Sequence, residues 1–183
     1  MMQHNMRYHL ISLLEIARLA DFSRLTDYLS GMQAQLEEHT LHTWCDHVAV
    51  NAMLSTFAGR AEALQTAFKV NAALPDDIGI PDYDLCLILG NLLENALEAS
   101  TKCTVERSIE VWLRLEEKQV TFLVQNRFSG ELLSIGERLL STKAEGGLGL
   151  QSVALVSAQY QGELLTTWEE NLFQASVTLH LPE

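Results

Sequence analysis

Between Asp84 and Ala99 the chain carries apolar residues at positions 85, 88, 89, 92, 93, 96 and 97. At roughly 100° per residue these fill one broad arc of a helix running from about Tyr83 to Ser100. A face that wide has to be buried against another layer. The partners available are β-rich: Ser108–Leu115 and Val120–Gln125 flank a polar turn at 116–119, and Glu163–Trp168 and Leu172–Leu181 flank Glu169-Glu170-Asn171. Both pairs carry the signature of antiparallel hairpins. Helices grouped with such hairpins predict an α+β fold, a mixed sheet with helices on one face.

The remaining elements fit around that core. A helix is expected from about Val48 to Phe68, a short strand over Lys69–Ala73, a loop through Pro81, and a helix over Leu150–Tyr160. The stretch from Asn126 to Gly147 is long and poorly patterned, as functional loops often are. At the start, Leu10, Leu13, Leu14 and Ala17 recur at helical spacing, as do Leu25, Tyr28, Leu29, Met32 and Leu36. Ala20-Asp21-Phe22-Ser23 between them supplies cap-type residues and room only for a tight reversal. The result is an antiparallel helical hairpin over residues 1–43, with the second domain over 44–183. A lone hairpin cannot bury its own stripe, and a four-helix dimer with a second copy is the economical solution.

Twelve Lys+Arg against 24 Asp+Glu give a net charge of −12. A surface that acidic has no general attraction for nucleic acid or anionic lipid, so an anionic ligand must be held locally. Cys45, Cys86 and Cys103 form no CxxC pair and argue for a reducing, cytoplasmic setting without disulfides. No window is long and apolar enough to make this chain itself a membrane contact.

Three features carry chemistry. Asn91 and Asn95 line one border of the apolar arc with Asp84 and Glu98. Asn is a poor helix former, so a pair at i and i+4 needs a reason. Their carboxamide oxygens can coordinate a hard cation such as Mg²⁺, or they can hydrogen-bond neighbouring loops. Lys143-Ala144-Glu145-Gly146-Gly147-Leu148-Gly149-Leu150 leads into the next helix. Glycines there let free N–H groups approach an anion, or make an ordinary turn. Asn126 ends a strand, where it can read a base edge or simply open a turn. His39, His42, Cys45 and His47 lack tidy zinc spacing and are expected to be a solvated connector.

The order of these features, Asn91-x-x-x-Asn95-Ala96, then a strand ending in Asn126, then Gly147-Leu148-Gly149-Leu150, resembles the GHKL ATP-binding domain shared by gyrase, histidine kinases and MutL. It is most similar to the catalytic region of sensor histidine kinases of the quorum-sensing and citrate-sensor-like branch. Ser141-Thr142-Lys143 also fits that branch. Asn126 stands where the wider family has an aspartate, and the adjacent glycine motif is reduced to Gly130. Gln3-His4-Asn5-Met6-Arg7-Tyr8-His9 resembles the phosphoacceptor box of the branch, with Asn5 in place of its acidic residue.

The resemblance implies a two-layer α/β sandwich of the GHKL (Bergerat) type preceded by the helical hairpin, with ATP and Mg²⁺ as cofactors. Asn95 would hold the metal and Asn91 would support it. Asn126 would recognise adenine, and Lys143, Gly147, Leu148, Gly149 and Leu150 would surround the phosphates. His4 would be the phosphoacceptor, working with Asn91 as the catalytic set, and residues 127–147 would be a lid. Implied partners are a second copy, through the N-terminal helices, and the receiver domain of a response regulator. Sensing segments, membrane-anchored in full-length relatives, are expected ahead of His4. A non-catalytic nucleotide-binding signalling module and a protein-serine kinase are the other functions compatible with the pattern.

Overall fold

The computed structural model describes residues 2–33, 43–103, 106–129, 134–135, 138–139 and 148–181. It divides into two compact units, Met1–His39 and Thr40–Glu183.

In the first unit, helices α1 (Met2–Arg18) and α2 (Phe22–Gln33) pack as a hairpin. Ala20 adopts a left-handed φ of 52° to close α1. Asp21 then caps α2, its Oδ1 accepting from the Arg24 N–H at 3.0 Å. Across the pair, His9 Nδ1 and Tyr28 Oη are hydrogen-bonded at 3.0 Å. Leu10, Ile11, Leu14, Phe22 and Leu29 remain exposed.

The second unit holds a five-stranded sheet in the order β1-β2-β3-β7-β6. The strands are β1 (Ala67–Ala73), β2 (Ser108–Glu116), β3 (Gln119–Arg127), β6 (Glu163–Glu169) and β7 (Leu172–His180); β4 (Ser134–Ile135) and β5 (Arg138–Leu139) form a separate two-stranded ribbon. β1 runs parallel to β2, and the other pairings are antiparallel. Three helices, α3 (Val48–Ala63), α4 (Asp82–Thr101) and α5 (Leu148–Gln159), complete the unit. Strand alternation directs Ile109, Val111 and Leu113 of β2 and Val120, Phe122 and Val124 of β3 toward the helices, where all are buried. From α4 they meet Leu85, Ile88, Leu89, Leu92, Leu93, Ala96 and Leu97 in one core. This is the two-layer α+β architecture expected from the hydrophobic pattern.

Several boundaries differ from the periodicity. α3 stops at Ala63, short of Phe68, because Gln65 takes a left-handed φ of 53° and the Thr66 N–H returns to the Ala61 carbonyl. The chain thereby reverses in time for β1 to begin at Ala67. α5 closes in the same way, with Gln161 at φ 54° and the Gly162 N–H on the Ser157 carbonyl at 2.9 Å. Gly162 is required there, since a Cβ would lie 1.8 Å from the Thr178 carbonyl oxygen. Cys45 and His47 are buried, not solvated; His47 heads α3 with its Nε2 3.8 Å from Asp82 Oδ1. His39 and His42 lie outside the described residues. Among those described, no helix is long and apolar enough to cross a membrane.

Candidate functional site

Asn91 and Asn95 lie one turn apart on α4, about 6 Å along its axis. The Asn91 Nδ2 donates to the Leu87 carbonyl of its own helix at 2.7 Å. That bond engages one N–H of the amide and leaves its oxygen facing α5. A Cβ built on Gly149 would lie only 2.8 Å from Asn91 Oδ1. The asparagine motif and the glycine motif, far apart in sequence, are therefore in contact, and a side chain at 149 would displace the Asn91 carboxamide. Asn95 is half-buried, and no described residue hydrogen-bonds its side chain.

α5 starts at Leu148, two residues earlier than expected, so Leu148, Gly149 and Leu150 form its first turn. First-turn N–H groups have no partner within a helix, and the dipole makes that end partly positive. At the other end of α5, Tyr160 Oη donates to Asp84 Oδ2 in the first turn of α4 at 2.5 Å. With Gly149 beside Asn91 and Tyr160 beside Asp84, the two helices run antiparallel. The N-terminus of α5 thus opens alongside the half of α4 that carries Asn95.

Asn126 lies within β3, paired with Ile109 and Phe173, and is 3% exposed. It shares the inward face with Val120, Phe122 and Val124. Its Nδ2 donates to the Arg127 carbonyl at 3.0 Å, which fixes the amide and leaves Oδ1 as its available acceptor. Three residues on, Ser129 and Cys103 are joined at 3.5 Å, tying the exit of β3 to the exit of α4. No hydrogen bond joins Asn126 to the asparagine pair.

The acidic neighbours on α4 are occupied. Glu94 receives both NH groups of Arg60 at 2.7 and 3.0 Å, and Glu98 pairs with Lys102 at 3.0 Å. The Glu94 hydrogen bond raises the Arg60 pKa. Such pairing reduces the negative field that an incoming anion would meet. Replacing Glu94 by Gln is expected to cost under about 1 kcal/mol, because the pair is largely exposed. Urea unfolding of the variant beside the wild type checks that cost.

Among the described residues no group of three His, Cys, Asp or Glu side chains gathers to hold a metal. A divalent cation here would therefore be held by few protein atoms, with waters and a polyphosphate completing its shell, as Mg²⁺ prefers. Asn95, with its unengaged carboxamide, fits that arrangement. The three cysteines are free, and burial pushes the Cys45 and Cys86 thiols up, away from nucleophilic thiolate.

Lys143, Gly147 and Gly130 lie outside the described residues, as does most of the expected lid at 127–147. His4 falls within α1, in the other compact unit; its side chain is outside the described residues. Two clefts among the described residues lie elsewhere. One of about 580 Å³ is lined by Trp44, Glu62 and Phe68 among others, and the second by Gln125, Thr167 and Gln174 on the sheet face opposite the helices. The Tyr160–Asp84 and Arg60–Glu94 pairs escaped sequence reading. Only the place of Asp84 on the asparagine border hinted at the first.

Solved structures share this fold at low identity. The nucleotide-free catalytic domain of histidine kinase ThkA superposes with a TM-score of 0.58 at 19% identity, covering 72% of this chain and 89% of that one. Acinetobacter baumannii histidine kinase AdeS gives 0.56 at 12% identity over 98% of both chains. Mycobacterial sensor histidine kinase MprB gives 0.54 at 17% over 73% of this chain and 96% of its own. No curated protein matches the sequence. Residues 81–180 match the family model described as the GHKL domain. That span holds α4, Asn126 and the first turn of α5, and it covers more than half of the 183 residues; the chain belongs to the GHKL family.

Proposed function

We propose that this chain is the cytosolic region of a sensor histidine kinase, binding Mg-ATP and transferring its γ-phosphoryl group to His4 and then to an aspartate of a response-regulator receiver domain. The observation that carries the reading is the meeting of Gly149 with Asn91 Oδ1, which sets the free N–H groups of α5 beside the asparagine border of α4. Asn95 holds the magnesium ion with Asn91 in support, and Asn126 Oδ1 accepts from the exocyclic amine of adenine. Leu148, Gly149 and Leu150 present main-chain donors to the phosphates, with Gly147 and Lys143 just ahead of them. When bound, Mg²⁺ neutralises phosphate charge.

His4 supplies the nucleophile. A neutral imidazole nitrogen attacks the γ-phosphorus through its lone pair, the bond to the bridging oxygen breaks, and ADP leaves. Asn5 orients the ring through its carbonyl oxygen but cannot take a proton, so the transfer is slow. The exposed stripe of Leu10, Ile11, Leu14 and Leu29 supports pairing with a second hairpin, which makes the working unit a homodimer.

Asn5 also favours a second reading, a non-catalytic module that binds nucleotide and signals through dimer geometry. Incubation with γ-labelled ATP and Mg²⁺ separates them. Acid-labile label that maps to the peptide holding His4 supports the kinase. Nucleotide binding without label supports the module, and acid-stable label on a partner identifies a serine kinase.

A further inference from the structure

α5 presents one end to the asparagine border and anchors the other. Tyr160, at its exit, donates through Oη to Asp84 at 2.5 Å across 76 residues of sequence. Its own main chain is held as well: the N–H donates to the Ser157 carbonyl, and the carbonyl accepts from His180 of β7, both at 3.0 Å. The side chain is thus a link between α4 and a point already fixed to the sheet. Gln161 and Gly162 close the exit behind it.

We propose that Tyr160 and Asp84 are a positioning pair that sets how closely the first turn of α5 seats against Asn91, and thereby the affinity for the phosphate end of a nucleotide; this rests on the nucleotide reading above. A helix transmits a shift at one end to the other, because its backbone hydrogen bonds resist stretching. A Cβ at position 149 would lie 2.8 Å from Asn91 Oδ1 and would have to displace it, so small slides along α4 change this contact. Asp84 lies on the same helix border as Asn91, about 10 Å back along the axis. The bond also engages one oxygen of that carboxylate. Burial, and then the Asp84 bond, push the Tyr160 phenol up to about 12, so it stays a donor throughout the neutral range.

The test uses the full chain. Tyr160→Phe removes Oη and keeps the ring. Mg-ATP affinity is expected to fall about fivefold by titration calorimetry, the loss of one well-made hydrogen bond. Adenosine affinity, by competition NMR, should not change. Asp84→Ala should repeat the loss, Asp84→Asn should restore most of it by keeping an acceptor oxygen, and Tyr160→Phe with Asp84→Ala should lose no more than either alone. The Gly149 and Leu150 amide resonances of the nucleotide-free variants should move.

A general loss of stability would lower the melting temperature and weaken adenosine and ATP alike, and that result overturns the proposal. So does unchanged ATP affinity in Tyr160→Phe. Should Tyr160→Phe fail to fold, the contrast between Asp84→Asn and Asp84→Ala decides. A wild-type chain that binds no nucleotide removes the parent reading instead. In that case shifted Gly149 and Leu150 amides in the nucleotide-free variants support the pairing, and unmoved ones overturn it.

Discussion

Gly149→Ala is expected to lower Mg-ATP affinity more than about tenfold while the chain melts within a few degrees of the wild type. The added Cβ would meet Asn91 Oδ1 at 2.8 Å and Cγ at 3.6 Å. Both are atoms of a side chain, so the clash is relieved when Asn91 rotates. Rotation breaks the Nδ2 bond to the Leu87 carbonyl, at a cost of about 1 kcal/mol. Alanine returns a similar amount, being a better helix former than glycine by up to about 1 kcal/mol. The two terms nearly cancel in stability. They do not cancel in the site, where a methyl group now separates the first-turn N–H groups from a displaced carboxamide. Calorimetric titration alongside a melting curve reads both quantities, and an unchanged affinity would remove the contact from the binding site.

Asn95→Ala is expected to have the larger effect, a loss of about 10- to 100-fold in Mg-ATP affinity. A group that binds a charged partner is worth about 1.5–3 kcal/mol, which spans that range. The fold should tolerate the change. Asn95 is half-buried at the border of the core, and no described residue hydrogen-bonds it. Alanine is also the better helix residue by a few tenths of a kcal/mol, so the melting temperature should hold or rise slightly. The magnesium dependence makes the test specific. Adding Mg²⁺ should strengthen ATP binding in the wild type and leave the variant nearly indifferent. A variant that keeps the full magnesium effect would place the metal on other atoms.

What could be read from residues alone follows from the range of the forces involved. The asparagine border of α4 was legible because helical periodicity is local: apolar positions from Leu85 to Leu97 define the buried arc, and Asn91 and Asn95 fall at its edge. The strand pairs were legible for the same reason. Asn126 was legible only as a strand-end polar residue; its burial to 3% depends on the sheet's alternation and on the helices that cover that face. The end of α3 was not legible, since Leu64 and Phe68 continue the apolar pattern that the left-handed Gln65 interrupts. Cys45 and His47 looked like part of a polar connector, and only tertiary packing puts them inside.

Long-range polar pairs were the least accessible. Arg60 and Glu94 are 34 residues apart, and Tyr160 and Asp84 are 76 apart. Neither spacing has a local period to reveal it. Both pairs act on α4, the first by joining α3 to it and the second by joining the exit of α5 to it. The contact between Gly149 and Asn91 belongs to the same class, although both motifs were visible separately.

The nucleotide's location decides the matter most directly. A crystal structure of the full chain with Mg²⁺ and a non-hydrolysable ATP analogue is expected to show the polyphosphate against the N–H groups of Leu148, Gly149 and Leu150. In the same structure the metal should be in contact with the Asn95 oxygen, and the amine of the base should donate to Asn126 Oδ1. A nucleotide bound away from α4, or phosphates that touch neither Asn95 nor the first turn of α5, would contradict it.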